Sequence, residues 1–128
     1  HGFISLVEDR ADPSILQVRA RVAEDLIAMF PTAQVVPIPG ADYLHRARVN
    51  RTEVADRLAA AVMGIDYTSH FKDVALERSP ANAERYAAYY ACWGAMARMQ
   101  DYAPYSTTPR ASEARWWEDD FEDEEEQA

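Results

Sequence analysis

The sequence predicts an α+β fold: a four-stranded, largely antiparallel sheet in ββαββα order, helices packed on one face, and a disordered acidic C-terminal tail. Three observations predict it. Apolar and polar residues alternate along Leu16-Gln17-Val18-Arg19-Ala20-Arg21-Val22 and again along Tyr43-Leu44-His45-Arg46-Ala47-Arg48-Val49, and a period of two with one apolar face marks a half-buried antiparallel strand. Each of these stretches runs into a segment of helical periodicity, so strands precede helices twice over. Finally, charge is partitioned. Ser112 to Ala128 holds nine acids against Arg115 alone, which accounts for nearly all of the net charge of −9, whereas residues 1–111 are close to neutral. A block of like charges repels itself and buries little apolar surface, so it stays disordered when unbound. The expected organisation is one domain over 1–103, a linker over 104–111 and the acidic aromatic tail over 112–128.

The elements follow in order. Gly2 to Glu8 reads as a first strand, and because the chain opens at His1 within that run, the strand is expected to begin upstream. Asp9 to Ser14 is a turn, with Asp side chains and Pro13 supplying local hydrogen bonds and a fixed φ. Ile15 to Val22 is the second strand. Ala23 to Phe30 is a short helix with Leu26, Ile27 and Phe30 inward; Glu24 and Asp25 sit in its first turn, where the helix dipole favours negative charge, and Pro31 stops it. Gln34 to Ile38 is a third strand, placed at an edge because Pro37 cannot donate to a ladder. After the Gly40-Ala41-Asp42 turn, Tyr43 to Val49 is the fourth strand, with Tyr43, His45, Ala47 and Val49 on the apolar side. Asn50 and Glu53 have the spacing of a capping box, and Val54, Leu58, Ala61, Val62 and Ile65 form the inward stripe of the helix it opens. Phe71 to Glu77 reads as a short helix. Ser79-Pro80 opens the last one, which runs to about Gln100 with Tyr86, Tyr89, Tyr90, Trp93, Met96 and Ala97 on its apolar face. Its other side is small (Ala87, Ala88, Ala91, Gly94, Ala95) and suits close packing, within the domain or across a homodimer.

Several function classes are disfavoured by what the chain lacks. Cys92 is its one cysteine, so neither an internal disulfide nor a multi-cysteine zinc site can form, which fits a reducing cytoplasm; it is expected to be buried as a small hydrophobe. No run approaches the ~20 apolar residues that span a bilayer. There is no glycine-rich phosphate loop, no paired-histidine metal spacing and no nucleophile elbow. Acid–base groups exist at Asp42, His45, Asp66, His70, Lys72 and Asp73, but they read as turn, cap and core residues. No catalytic residue, metal or cofactor is expected.

The pattern Val18-Arg19-Ala20-Arg21, then Ala41-Asp42-Tyr43 with Arg46-Ala47, then Ile65-Asp66-Tyr67 with Phe71-Lys72 resembles a family of small uncharacterised actinobacterial proteins, carried also by phages. The resemblance covers most of the body and excludes the tail. It implies one compact domain and no particular activity.

Two constellations remain. In the tail, Trp116, Trp117, Glu118, Asp119, Asp120 and Phe121 set aromatic rings among carboxylates. Carboxylates can stand for phosphates and rings for bases, so this segment suits a basic surface that otherwise holds nucleic acid. In the sheet, Arg19, Arg21, Arg46 and Arg48 are expected on the face opposite the helices, where guanidinium forks attract phosphate or carboxylate. Against the second constellation, the body as a whole lacks the basic excess common in nucleic-acid binders. The expected function is therefore a non-enzymatic macromolecule-binding protein whose tail engages a basic partner protein, in a phage setting an inhibitor of a host or defence protein. The alternative is a nucleic-acid or nucleotide binder using the arginine face, with the tail as regulator.

Overall fold

The computed structural model describes residues 2–67 and 82–111, which belong to two separate compact units. In the first, β1 (Ile4–Glu8), β2 (Ile15–Ala20), α1 (Ala23–Met29), β3 (Val36–Pro37), β4 (His45–Asn50) and α2 (Arg51–Met63) follow one another. The four strands form one sheet in the order β1-β2-β4-β3, antiparallel at every pairing. The α+β architecture read from the alternating segments is the one observed. Pro37 lies in β3 at the sheet edge, where the lack of an N–H does not break a ladder.

Register decides which side chains share a face. Val18 lies opposite Leu6 and Ala47, Ala20 opposite Ile4 and His45, and Leu16 opposite Val49. These residues form the covered face. Val18, Ala20, Ala47 and Val49 are buried there with Leu26 and Phe30 from the α1 segment and Val54 from α2, and Ile4, Leu16, Met29, Ala33 and Val35 pack around them. Removing this apolar surface from water is the main favourable term for the unit. Phe30 ends α1: its N–H donates to the Leu26 carbonyl at 2.7 Å, and Pro31 follows, so the ring turns into the core where the helix stops.

The start of α2 is fastened to the β1–β2 turn. Arg51 donates its backbone N–H to the Ser14 carbonyl at 2.8 Å and its Nε to the Pro13 carbonyl at 2.9 Å, and its Nη2 pairs with Glu8 at 2.6 Å. This arrangement replaces the expected capping box. Asn50 is still extended, as the last residue of β4, and makes no side-chain cap, while Glu53 accepts from the Thr32 hydroxyl at 3.5 Å. The inward stripe expected along α2 also shortens to its first turn. Val54 is 2% exposed, but Leu58 is 41% exposed, and Ile65, which lies beyond the end of the helix, is 77% exposed.

In the second unit, α3 spans Ala83–Ala97, and none of its residues is fully buried. Tyr86, Tyr90 and Trp93 stack along one side, with ring centroids 6.2 and 5.9 Å apart, the spacing of offset aromatic pairs. Cys92 is exposed rather than buried, like most of α3. After α3, the chain closes a loop: Tyr102 bridges Pro109, and Arg110 donates its N–H to the Asp101 carbonyl at 2.6 Å and its Nη2 to the Ala97 carbonyl. The short helix expected over Phe71 to Glu77 and the Ser79-Pro80 cap lie outside the described residues.

Candidate functional site

The uncovered face of the sheet is built from the other set of alternating positions. Arg19 lies directly opposite Ser5 on β1 and Arg46 on β4, and Arg46 in turn lies opposite Val36. One rung along, Gln17 lies opposite Val7 and Arg48. Two guanidiniums therefore face each other across β2 and β4, an arrangement that like-charge repulsion disfavours when nothing lies between them.

Each arginine is held differently. Arg19 donates Nη2 to the Ser5 hydroxyl at 2.7 Å and lies over the Tyr43 ring at 4.7 Å; its Nε is buried without a hydrogen-bond partner among the described residues. Arg21 lies over the same ring at 4.2 Å and over Phe3 at 5.9 Å. Phe3, Arg21, Tyr43 and Arg19 thus form an alternating aromatic and guanidinium stack, held by cation–π attraction. Arg46 pairs with Asp42 through one nitrogen at 3.0 Å and reaches the Tyr43 carbonyl at 3.5 Å. Arg48 meets both carboxylate oxygens of Asp9, at 3.2 and 3.3 Å. Of the four arginines expected on this face, Arg19, Arg46 and Arg48 lie there by register, and Arg21, just beyond the end of β2, meets Arg19 at the Tyr43 ring; Arg46 and Arg48 are answered by carboxylates, and Arg19 and Arg21 form no ion pair with a described residue.

Asp9 organises the edge of the site. It is only 7% exposed, and its carboxylate accepts from Gln17 Nε2, from Arg48 and from the N–H groups of Ala11 and Asp12. This is an Asx-type turn closed by two side chains from neighbouring strands. The Gln17 hydrogen bond holds the Asp9 carboxyl below its ordinary value of 3.8, aided by Arg48 and the Ala11 N–H and opposed by desolvation; the Ser14 hydroxyl and N–H do the same for Asp12. A carboxyl whose pKa is lowered by folding contributes stability that is present above its unfolded value and is lost as pH falls through the folded one. Thermal stability is therefore expected to be insensitive to these two groups above about pH 5, and to fall as pH drops below 3.8. Melting curves across that range should show a flatter acid limb for Asp9→Asn than for the native chain.

Above the uncovered face lies a cavity of about 410 Å³, between residues 7–11 on one side and Gln17, Arg19 and Arg46 on the other. Arg10, read from the sequence as a turn residue, lines it and forms no ion pair with a described residue. Arg10, Asp9 and Ser5 are not expected from the sequence as parts of this surface, whereas Gln17 is expected on the polar side of β2 and lies there. Sequence reasoning also placed Tyr43 on the covered side. Strand pairing begins only at His45, so the alternation does not extend back to Tyr43, whose ring lies against Arg19 and Arg21 instead. One signal for Asp9 was available: an Asp opening an Asp-Arg-Ala-Asp-Pro-Ser turn is suited to accept from N–H groups two and three residues on.

The tail residues Trp116, Trp117, Glu118, Asp119, Asp120 and Phe121 lie outside the described residues, as do His70, Lys72 and Asp73. Among the described residues no helix is long and apolar enough to cross a membrane, and no three His, Cys, Asp or Glu side chains gather as metal ligands. Comparison of the chain with protein-family models, with curated proteins and with solved structures gives no match.

Proposed function

We propose that this chain is a binding protein whose uncovered sheet face takes single-stranded nucleic acid. The observation that carries the reading is the segregation of charge and aromatics onto one face. Arg10, Arg19, Arg21, Arg46 and Arg48 gather there against Asp9 and Asp42, with Glu8 answered by Arg51, and the rings of Phe3 and Tyr43 are interleaved with them. Surfaces that hold single strands combine basic tracks for the backbone with rings and guanidinium planes on which bases stack. The overall charge of −9 does not oppose this, because −8 of it lies in residues 112–128 and the field that a ligand meets is local, with a screening length of roughly 8 Å at physiological salt.

The test is an anisotropy titration of labelled single-stranded DNA and RNA with the full chain and with a chain ending at Ala111. Binding is expected at about 50 mM salt, weakening with a log–log slope of about −0.7 for each phosphate neutralised. The shortened chain should bind more tightly, since its acidic segment is gone. Absence of binding by both chains at low salt ends the reading.

A second reading is favoured by one sequence observation, the rings of Trp116, Trp117 and Phe121 set among the acids Glu118, Asp119 and Asp120. Here that segment engages a basic partner protein in the cytoplasm. Replacing Trp116, Trp117 and Phe121 by alanine in the full chain should then abolish partner capture, and replacing Arg19 and Arg46 should not. The reverse pattern assigns recognition to the sheet.

A further inference from the structure

The cavity beside the β1–β2 turn has features that the rest of the uncovered face lacks. Its volume of about 410 Å³ lies at the small end of ligand pockets. Three arginines line it: Arg10 from the turn, Arg19 from β2 and Arg46 from β4. Arg10 and Arg19 have no ion-pair partner among the described residues, and Arg46 gives only one nitrogen to Asp42. The acids on the same wall are already engaged: Asp9 accepts from four groups, and Glu8 pairs with Arg51. The unanswered charge in the cavity is therefore positive, and an anion between Arg19 and Arg46 would relieve their cross-strand repulsion.

Shape then narrows the anion. A phosphodiester inside a strand must enter and leave, and it carries a single charge. On one side this cavity is bounded by residues 8–11, which stand where the strand would continue. A phosphomonoester enters once, carries a charge of about −1.5 to −2 near neutral pH and presents three acceptor oxygens, which matches three guanidiniums. Resting on the reading of the uncovered face as a single-strand surface, we propose that this cavity holds the terminal phosphomonoester of the bound strand, bound by Arg10, Arg19 and Arg46. The cavity then fixes one end of the strand, and the Phe3–Arg21–Tyr43–Arg19 stack receives the bases that follow.

The experiment compares one oligonucleotide in three forms, with a 5′-phosphate, with a 3′-phosphate and with hydroxyl at both ends, against the full native chain and full-length Arg10→Gln; a nucleoside monophosphate serves as competitor. At least one phosphorylated form is expected to bind about tenfold more tightly than the hydroxyl form, the worth of one charge-assisted hydrogen bond. In Arg10→Gln, checked for an unchanged melting temperature, that ratio should fall towards one. Equal binding of all three forms by the native chain overturns the proposal and leaves the single-strand surface standing. A ratio unchanged in Arg10→Gln also overturns it, since the end is then read elsewhere. If the nucleoside monophosphate binds as tightly as the phosphorylated strand, the ligand is a small phosphomonoester and the strand-end assignment fails. If no strand binds in any form, the surface reading fails with it.

Discussion

Replacing Arg19 and Arg46 together by alanine is expected to weaken single-strand binding about a hundredfold at about 50 mM salt, roughly tenfold for each guanidinium removed from a phosphate. The two positions are chosen because they face each other across β2 and β4 and share the cavity at the β1–β2 turn. With two fewer positive charges to displace counterions, the log–log salt slope should also become shallower, by up to about 1.4. That second readout separates a missing cation from a general loss of structure, which would not change the slope by a defined amount. The fold is expected to survive. Arg19 gives up its Ser5 hydrogen bond and its place on the Tyr43 ring, but the substitution also removes a like-charge pair and a buried Nε without a partner among the described residues. A melting temperature within a few degrees of native is the control. Arg19→Lys is a sharper probe. It keeps the charge but loses the planar fork and the flat stacking on Tyr43, so it should recover only a minor part of the binding. Affinity within threefold of native for the double variant would remove the sheet face from the recognition surface.

Much of that face is legible in the alternation alone. With Val18 and Ala20 inward, Arg19 must point outward, and the same logic on β4 sends Arg46 and Arg48 to the same side once both strands share a sheet. What alternation cannot supply is register. The pairing that sets Arg19 opposite Arg46, rather than opposite Arg48, joins residues 27 apart in the sequence, and the Arg51 clamp to the Ser14 and Pro13 carbonyls continues it beyond the strand ends. Asp9 illustrates the same limit locally. An Asp in a turn has one signature whether its carboxylate looks outward or inward, and here Gln17 and Arg48, eight and thirty-nine residues away, decide the matter. The capping box expected at Asn50 does not form for a related reason. The strand runs directly into the helix, so Asn50 is committed to β4 while the first helical N–H finds the Ser14 carbonyl. The apolar stripe of α2 is plain in the sequence, but periodicity gives a helix a face and not a partner to cover it.

The largest effect on stability is expected from Phe30→Ala, a loss of about 3–5 kcal/mol. The ring is the largest fully buried side chain among the described residues, in a core that otherwise consists of Val18, Ala20, Leu26, Ala47, Val49 and Val54. Two features place it at the high end for its type. Its neighbours are small, so few of them can move into the space it leaves, and the residual cavity adds to the lost transfer energy. Its backbone is held where α1 ends, by the hydrogen bond to Leu26 and by Pro31, so the helix cannot slide to refill the site. Domains of this size have only about 5–15 kcal/mol in total, so a loss of about 3–5 kcal/mol removes roughly a fifth or more of it. Phe30→Leu keeps most of the volume and should cost less than about 1.5 kcal/mol. Thermal denaturation followed by far-ultraviolet circular dichroism checks both variants. The covered and uncovered faces belong to the same β2 and β4, so a Phe30→Ala chain that melts below the assay temperature should also lose its single-strand binding, whereas Phe30→Leu should retain both. A loss of less than about 1 kcal/mol for Phe30→Ala, well below the range for a buried aromatic ring, would mean that the covered face is not the core on which the register, and with it the Arg19–Arg46 pair, depends.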